Sequence, residues 1–173
     1  MHKKNIIKTR RYESPCGTLL LGSFDDKLCL CDWQVEKHRD HVDRRLKRVL
    51  NAEFEDGISD IIEKAVTQLD EFFAKRRQTF TIPLLFVGTD FQKAVWHELL
   101  TIPYGETISY GDMARRIGMP KAVRAVANAN GANAISIFAP CHRVIGSDGS
   151  LTGYGGGLAA KKMLLELEKS FQK

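Results

Sequence analysis

The sequence predicts a two-part chain: an α/β domain over residues 1–87, followed by a mainly helical domain over residues 88–173 that carries a helix-turn-helix. Three observations predict it. Short apolar and alternating runs open the first half, helical spacing with good caps recurs in close succession in the second, and a Pro- and Gly-containing connector near residues 83–88 separates them. At 43% hydrophobic and 27% charged residues, the chain has enough apolar material for a packed core.

The elements follow in order. "TLLLGSF" and "LCLCDW", joined by "DDK", form a β-hairpin, and Cys29 and Cys31 then share one strand face. "DIIEKAVTQLDEFFAKRR" sets Ile61, Ile62, Ala65, Val66, Leu69, Phe72 and Phe73 at helical spacing, with Asp60 and Glu63 placed as a capping box. "TFTIPLLFVG" adds an extended segment. The second domain opens on a helix, "TDFQKAVWHELL", with Thr89 and Gln92 as a capping box. "SYGDMARRI" then begins at the cap Ser109 and stops at Gly118, and "PKAVRAVANAN" begins at Pro120 and ends before Gly131. Two helices joined by a short Gly-containing turn make the helix-turn-helix. "AISIFAPCHRVIG" reads as a half-buried strand leading into a Gly-rich loop. A final helix carries the stripe Ala160, Leu164, Leu167 and Phe171, with Glu168 at its edge.

The start of the chain is charged but lacks the apolar stretch of a secretory signal, and no run of about 20 apolar residues occurs. A cytoplasmic protein with no membrane association is expected, its cysteines (Cys16, Cys29, Cys31 and Cys141) free thiols. The net charge of +5 is concentrated: residues 113–147 contain no Asp or Glu but hold Arg115, Arg116, Lys121, Arg124 and Arg143, and outside that window Lys and Arg balance the acids. Either this is a solvated basic face or it meets a polyanion. The second helix of the pair favours the latter, since its residues are mostly Ala and Val and only Lys121 and Arg124 stand out from it. One long cation on a smooth face suits entry into a minor groove or a base stack better than reading base edges.

Cys141 sits between apolar segments with His142 and Arg143 immediately after it. Burial alone has no use for those neighbours, whereas a thiol that must become a thiolate needs a base or a cation beside it. Glu168, a carboxylate at the edge of a core, needs a partner. If the partner is His142 the chain holds a Cys–His–Glu relay; the alternative is a surface glutamate paired with a lysine.

These residues carry a resemblance. "PCHRVIG", followed by "TGYGGGLAAKKMLLELE" and preceded by "GTDFQKAVWHELLTIPYGETISYGDMARRIGMPKAVRAVANANGAN", resembles the O6-alkylguanine-DNA alkyltransferase family over residues 88–168. The first half is similar in outline to the ribonuclease H-like α/β domain of that family, and the second to its winged-helix-like domain. The resemblance implies single-use, irreversible transfer of an alkyl group from O6-alkylguanine, and also O4-alkylthymine, in double-stranded DNA to the protein's own cysteine. It implies Cys141 as acceptor, His142 as a base acting through a water, and Glu168 as the carboxylate behind it. Asn133 ties down the adjoining turn, and Tyr110 meets the flipped nucleotide and protonates the guanine ring. The implied DNA face is Arg124, Lys121, Arg115, Arg116, Ala125 and Tyr110, with Arg124 filling the hole left by the nucleotide. Tyr154, Gly155, Val144 and Arg143 are implied as the substrate pocket, in a monomer that reads no sequence and uses no cofactor.

Two departures stand out. Ala134 follows Asn133 where many relatives have proline, and Gly155 stands where some have serine, which is expected to leave the pocket open enough for alkyl groups larger than methyl. Cys16, Cys29 and Cys31 do not fall on the zinc positions of some relatives, so no metal is expected. Two other classes share part of the pattern. A cysteine hydrolase would need turnover and an oxyanion hole but no helix-turn-helix, and a non-catalytic lesion sensor would not need Cys141.

Overall fold

A computed structural model describes residues 3–151 and 154–171. Strands β1 (Asn5–Ser14), β2 (Gly17–Phe24) and β3 (Lys27–Trp33) form an antiparallel meander. The β2–β3 turn is Asp25–Asp26, both at positive φ (54° and 60°), the mirror-image turn that matches strand twist. Helix α1 (Glu36–Leu50) then crosses back to β4 (Ala52–Asp56), which lies parallel to β1, giving the sheet order β3-β2-β1-β4. Helix α2 (Asp60–Phe73) buries Ile62, Ala65, Leu69 and Phe72.

The predicted capping box of α2 is corrected. The N-cap is Ser59, whose hydroxyl accepts from the Ile62 N–H at 3.1 Å, which places Asp60 and Glu63 inside the first turn beside the positive end of the helix. The segment after α2 is extended but joins the sheet at a single bridge, Leu28 with Leu84. Sequence reasoning gave no place to β1, α1 or β4.

Helix α3 (Asp90–Leu99) has the expected box: Gln92 N–H donates to Thr89 Oγ1 at 3.1 Å and Thr89 N–H to Gln92 Oε1 at 2.9 Å. Gly88 is needed just before it, because a Cβ there would lie 2.6 Å from both Gln92 Oε1 and the Trp96 ring. After the two-residue strand β5 (Ile108–Ser109), helix α4 (Tyr110–Arg116) starts at the Ser109 cap, which accepts from Asp112 N–H at 2.9 Å. Helix α5 (Val123–Gly131) begins three residues later than expected, since residues 120–122 form the turn, and it runs through Gly131. Trp96 Nε1 donates to Ala129 O at 2.8 Å and locks α3 to α5.

The predicted strand through Cys141 is also corrected. Residues 134–140 are a buried run of turns, and Cys141 opens a short 3₁₀ turn, Cys141–Arg143. The reason is local: Ile137 is in the left-handed region (φ 73°), and the Asn133 side chain bonds the backbone where a neighbouring strand would. Strand β6 (Val144–Ile145) pairs with β5, and helix α6 (Leu158–Phe171) buries Ala160 and Leu164 with Leu167 half-buried; the side chain of Phe171, the last of the predicted stripe, lies outside the described residues. One hydrophobic cluster spans both halves of the chain.

Candidate active site and DNA face

The 3₁₀ turn carries the thiol, and the run of turns between it and α5 packs against that thiol. Cys141 is 4% exposed, and its Sγ accepts a hydrogen bond from Asn133 Nδ2 at 3.2 Å. The other Nδ2 proton goes to Ala139 O at 3.0 Å, while Asn133 Oδ1 accepts from Ile135 N–H at 3.0 Å. Asn133 thus closes the turn and faces the sulfur with one side chain, and Ala134 in place of proline leaves those bonds intact. Asn130 on α5 donates to Cys141 O at 3.2 Å.

Burial pushes the Cys141 thiol up to about 11; hydrogen bonds from Asn133 and Ser136 pull it down, buried Asp32 pushes it up, and the Lys161 ammonium pulls it down. The resting sulfur is therefore a thiol.

His142 and Glu168 meet in the interior. The imidazole Nε2 lies 2.7 Å from Glu168 Oε2, both side chains being buried. Burial holds His142 below its ordinary value, against the pull of Glu168. Burial alone would raise Glu168, but bonds from His142 and Arg143 outweigh it and hold the carboxyl down at about 2. A carboxylate only accepts, so Nε2 carries the proton and Nδ1 keeps a lone pair. Among the described residues Nδ1 has no hydrogen-bond partner. The sulfur is bonded to Asn133, not to His142.

Arg143 was expected in the pocket and counted with the basic window; both expectations are corrected. It is 6% exposed and committed to Glu168, with Nε 3.0 Å from Oε1 and Nη2 2.9 Å from Oε2, while Nη1 donates to Ile102 O at 2.7 Å. The guanidinium fork matches a carboxylate, and a buried Glu168 requires a cation. Gly105 N–H completes the set at 3.1 Å from Oε1.

Lys161 on α6 has no role in the sequence reading. It is buried, donates from Nζ to Val144 O at 2.7 Å and sits 5.7 Å from the Tyr110 ring centroid. Val144 itself is fully buried in β6 and meets the site through that carbonyl. Tyr110, the first residue of α4, is 7% exposed. Tyr154 is 9% exposed, and its hydroxyl accepts from Trp33 Nε1 at 3.1 Å.

Gly155 does not leave open space, contrary to expectation, because a Cβ there would lie 2.8 Å from His38 Nε2. The neighbours Thr152 and Gly153 lie outside the described residues.

The outer face of α5 is smooth. Val123, Arg124 and Ala125 are exposed, with Lys121 just ahead of them, and among the described residues Lys121 and Arg124 have no ion pair. Arg115 and Arg116 are exposed on α4 but engaged, Arg115 with Asp112 and Arg116 with Glu98 at 4.0 Å. At the other end of α5, Arg45 from α1 donates to Ala132 O at 2.9 Å and lies 5.3 Å from the centre of the Trp96 ring.

A buried thiol closed into the base of a helix-turn-helix, with a His–Glu–Arg cluster beside it, defines a helix-turn-helix protein built around a cysteine. The chain belongs to the 6-O-methylguanine DNA methyltransferase family: residues 7–86 match its ribonuclease-like domain and residues 90–170 its DNA binding domain. It is 60% identical over 168 residues to the methylated-DNA–protein-cysteine methyltransferase of Mycobacterium bovis, covering 95% of this chain and 94% of that one. It is 44% identical over 159 residues to that of Methanosarcina acetivorans, covering 92% and 96%. The crystal structure of Mycobacterium tuberculosis OGT in complex with DNA superposes with a TM-score of 0.80 at 44% identity, over 96% of this chain and 94% of that one.

Proposed function

We infer that this chain repairs alkylated DNA by moving the alkyl group from O6 of guanine, and from O4 of thymine, onto Sγ of Cys141, once per molecule. The observation that carries the reading is the thiol held by Asn133 at the foot of α5, beside a histidine whose tautomer Glu168 fixes. The division of labour follows residues 1–87 and 88–173, the second part holding acceptor and DNA face.

The chemistry runs as a displacement at carbon. Nδ1 of His142 takes the thiol proton by way of a bridging water, and the imidazolium is stabilised by Glu168, itself held anionic by Arg143. Sulfur attacks the alkyl carbon as the C–O6 bond breaks, and its electron pair leaves with the guanine. Tyr110, beside the Lys161 ammonium, supplies a proton to the departing ring. The products are guanine and a thioether, which thiol exchange does not reverse.

The target lies inside the duplex, so it must be flipped out. Arg124 enters the minor groove and fills the gap, with Ala125 allowing close approach, while Lys121, Arg115 and Arg116 hold phosphates without reading sequence. Tyr154 and Gly155 wall the base. The protein works as a monomer in the cytoplasm.

The test is intact mass after mixing with an O6-methylguanine duplex. A gain of one methyl on the peptide holding Cys141 is expected. Unchanged mass with bound DNA would make the protein a sensor.

A further inference from the structure

The loop over the proposed pocket is held from outside by the N-terminal domain at three consecutive residues. Trp33 Nε1 donates to the Tyr154 hydroxyl at 3.1 Å, and the two rings meet edge to face with centroids 6.0 Å apart. A Cβ on Gly155 would lie 2.8 Å from His38 Nε2 and 3.0 Å from its Cε1, and one on Gly156 would lie 2.7 Å from the Trp33 indole. Neither glycine can carry a side chain, or move outward by the width of one, without displacing a ring.

The rings are themselves anchored. His38 Nε2 lies 2.8 Å from Asp32 Oδ2, and Asp32 is fully buried. Its Oδ1 accepts the Trp33 N–H at 2.9 Å, and Arg39 stands 3.6 Å from Oδ2 while also pairing with Asp43. Asp32 Oδ1, 3.0 Å from His38 Nε2, thus ties the imidazole to the end of β3 beside Trp33.

We propose that His38 and Trp33 are specificity-determining residues, limiting the size of the alkyl group that Cys141 can accept by bracing the 154–156 loop. The inference rests on the reading of Cys141 as acceptor and of Tyr154 and Gly155 as pocket wall. A methyl group needs no movement of that loop. A longer chain leaving the flipped base presses the wall outward, drives Gly155 into the imidazole and stretches the Trp33–Tyr154 bond. Discrimination by one apolar contact of this kind is worth about 10–200-fold per methylene-sized step.

The experiment measures single-turnover alkylation of Cys141 by intact mass, with duplexes carrying O6-methyl- or O6-butylguanine, for the parent protein and for His38→Ala, Trp33→Phe and the control His41→Ala. His41 is exposed on the same helix. His38→Ala is expected to raise the butyl-to-methyl rate ratio about tenfold or more, Trp33→Phe to raise it less, and His41→Ala to leave it unchanged. Should His38→Ala fail to fold by circular dichroism, His38→Asn, which keeps a polar contact to Asp32 without the ring, is read in its place. A ratio within twofold of the parent protein overturns the proposal while leaving the transfer reading intact. Absence of methyl on Cys141 in the parent protein overturns both.

Discussion

Glu168 accepts from the His142 imidazole, the Arg143 fork and the Gly105 N–H, and those bonds keep it ionised in the interior. Its folded value of about 2, below the ordinary 4.5, means that it stabilises the native state fully above the unfolded value. That stability is lost as pH falls from about 4.5 toward 2, and is on the order of 3 kcal/mol. Glu168→Gln should therefore be less stable by about 3–5 kcal/mol at neutral pH, because Arg143 is left buried without a counter-charge. Its melting temperature should also fall less than the parent's between pH 4.5 and pH 2. Melts across that range decide it, and parallel curves would show that the carboxylate contributes nothing through ionisation. The same variant should transfer methyl about 10²–10⁴-fold more slowly in single-turnover assays, since the imidazole loses the group that fixes its tautomer.

At the scale of elements, the helices with local start signals were the legible ones. Thr89 and Gln92 cap α3 and Ser109 caps α4 through bonds spanning three residues, so their sequence spacing suffices. Helix α1 gave no such signal: its N-cap Val35 makes no side-chain bond, and its apolar stripe is short, Val42 and Leu46 buried and Leu50 partly so, with Arg39 on that face held in an ion pair. The run through Cys141 has the apolar content of a strand, yet Asn133 and the left-handed Ile137 fold it into turns, and nothing in a hydrophobicity pattern encodes φ. Of the residues the sequence singles out, Cys141 meets Asn133 and His142 meets Glu168 in the structure. The partners that complete them were not legible: Arg143 stands in a basic window and reads as one more surface cation although it is spent on Glu168, and Trp33 reaches Tyr154 from the other half of the chain, across 121 positions. The exposed face of α5 carries its own prediction. Arg124→Ala should slow transfer from duplex DNA on the order of a hundredfold, the equivalent of the few kcal/mol of an unfilled stack, while transfer from free O6-benzylguanine changes by less than about threefold. Rapid-quench rates with the two substrates are the check, and equal slowing of both would assign Arg124 to the chemistry instead.

For the whole molecule, the question is what a used acceptor does to its surroundings. A methyl on Sγ enters a site only 4% exposed and crowds the Asn133 contact at 3.2 Å; a thioether sulfur is at best a weak acceptor, so that Nδ2 bond is expected to be lost. Overpacking by one such group costs about 1–3 kcal/mol and the lost bond about 1–3 kcal/mol. The methylated protein should melt roughly 4–24 °C below the thiol form, measured by calorimetry on stoichiometrically reacted protein freed of DNA. An equal or higher melting temperature would mean that the site accommodates its product without strain. Because Asn130 links α5 to Cys141 O at 3.2 Å, the strain should also reach the helix that bears Arg124 and weaken the hold on DNA.

The outer strand of the sheet, β3, has no strand beside it on one side; there Cys31 N–H donates to Ala134 O at 2.8 Å and Ser136 N–H to Cys31 O at 2.7 Å. The segment before the acceptor thus covers the Cys31 stretch of this β-edge, as residues 83–85 cover it at Leu28, and uncovered edges are where proteins recruit foreign strands. Loosening the turn by alkylation uncovers the Cys31 stretch of β3, so the spent molecule should differ from the fresh one in being sticky: faster amide exchange at Cys31 and Ser136, and a greater tendency to self-associate. A repair event would then mark its own agent for removal by unmasking a surface that quality-control systems treat as misfolded.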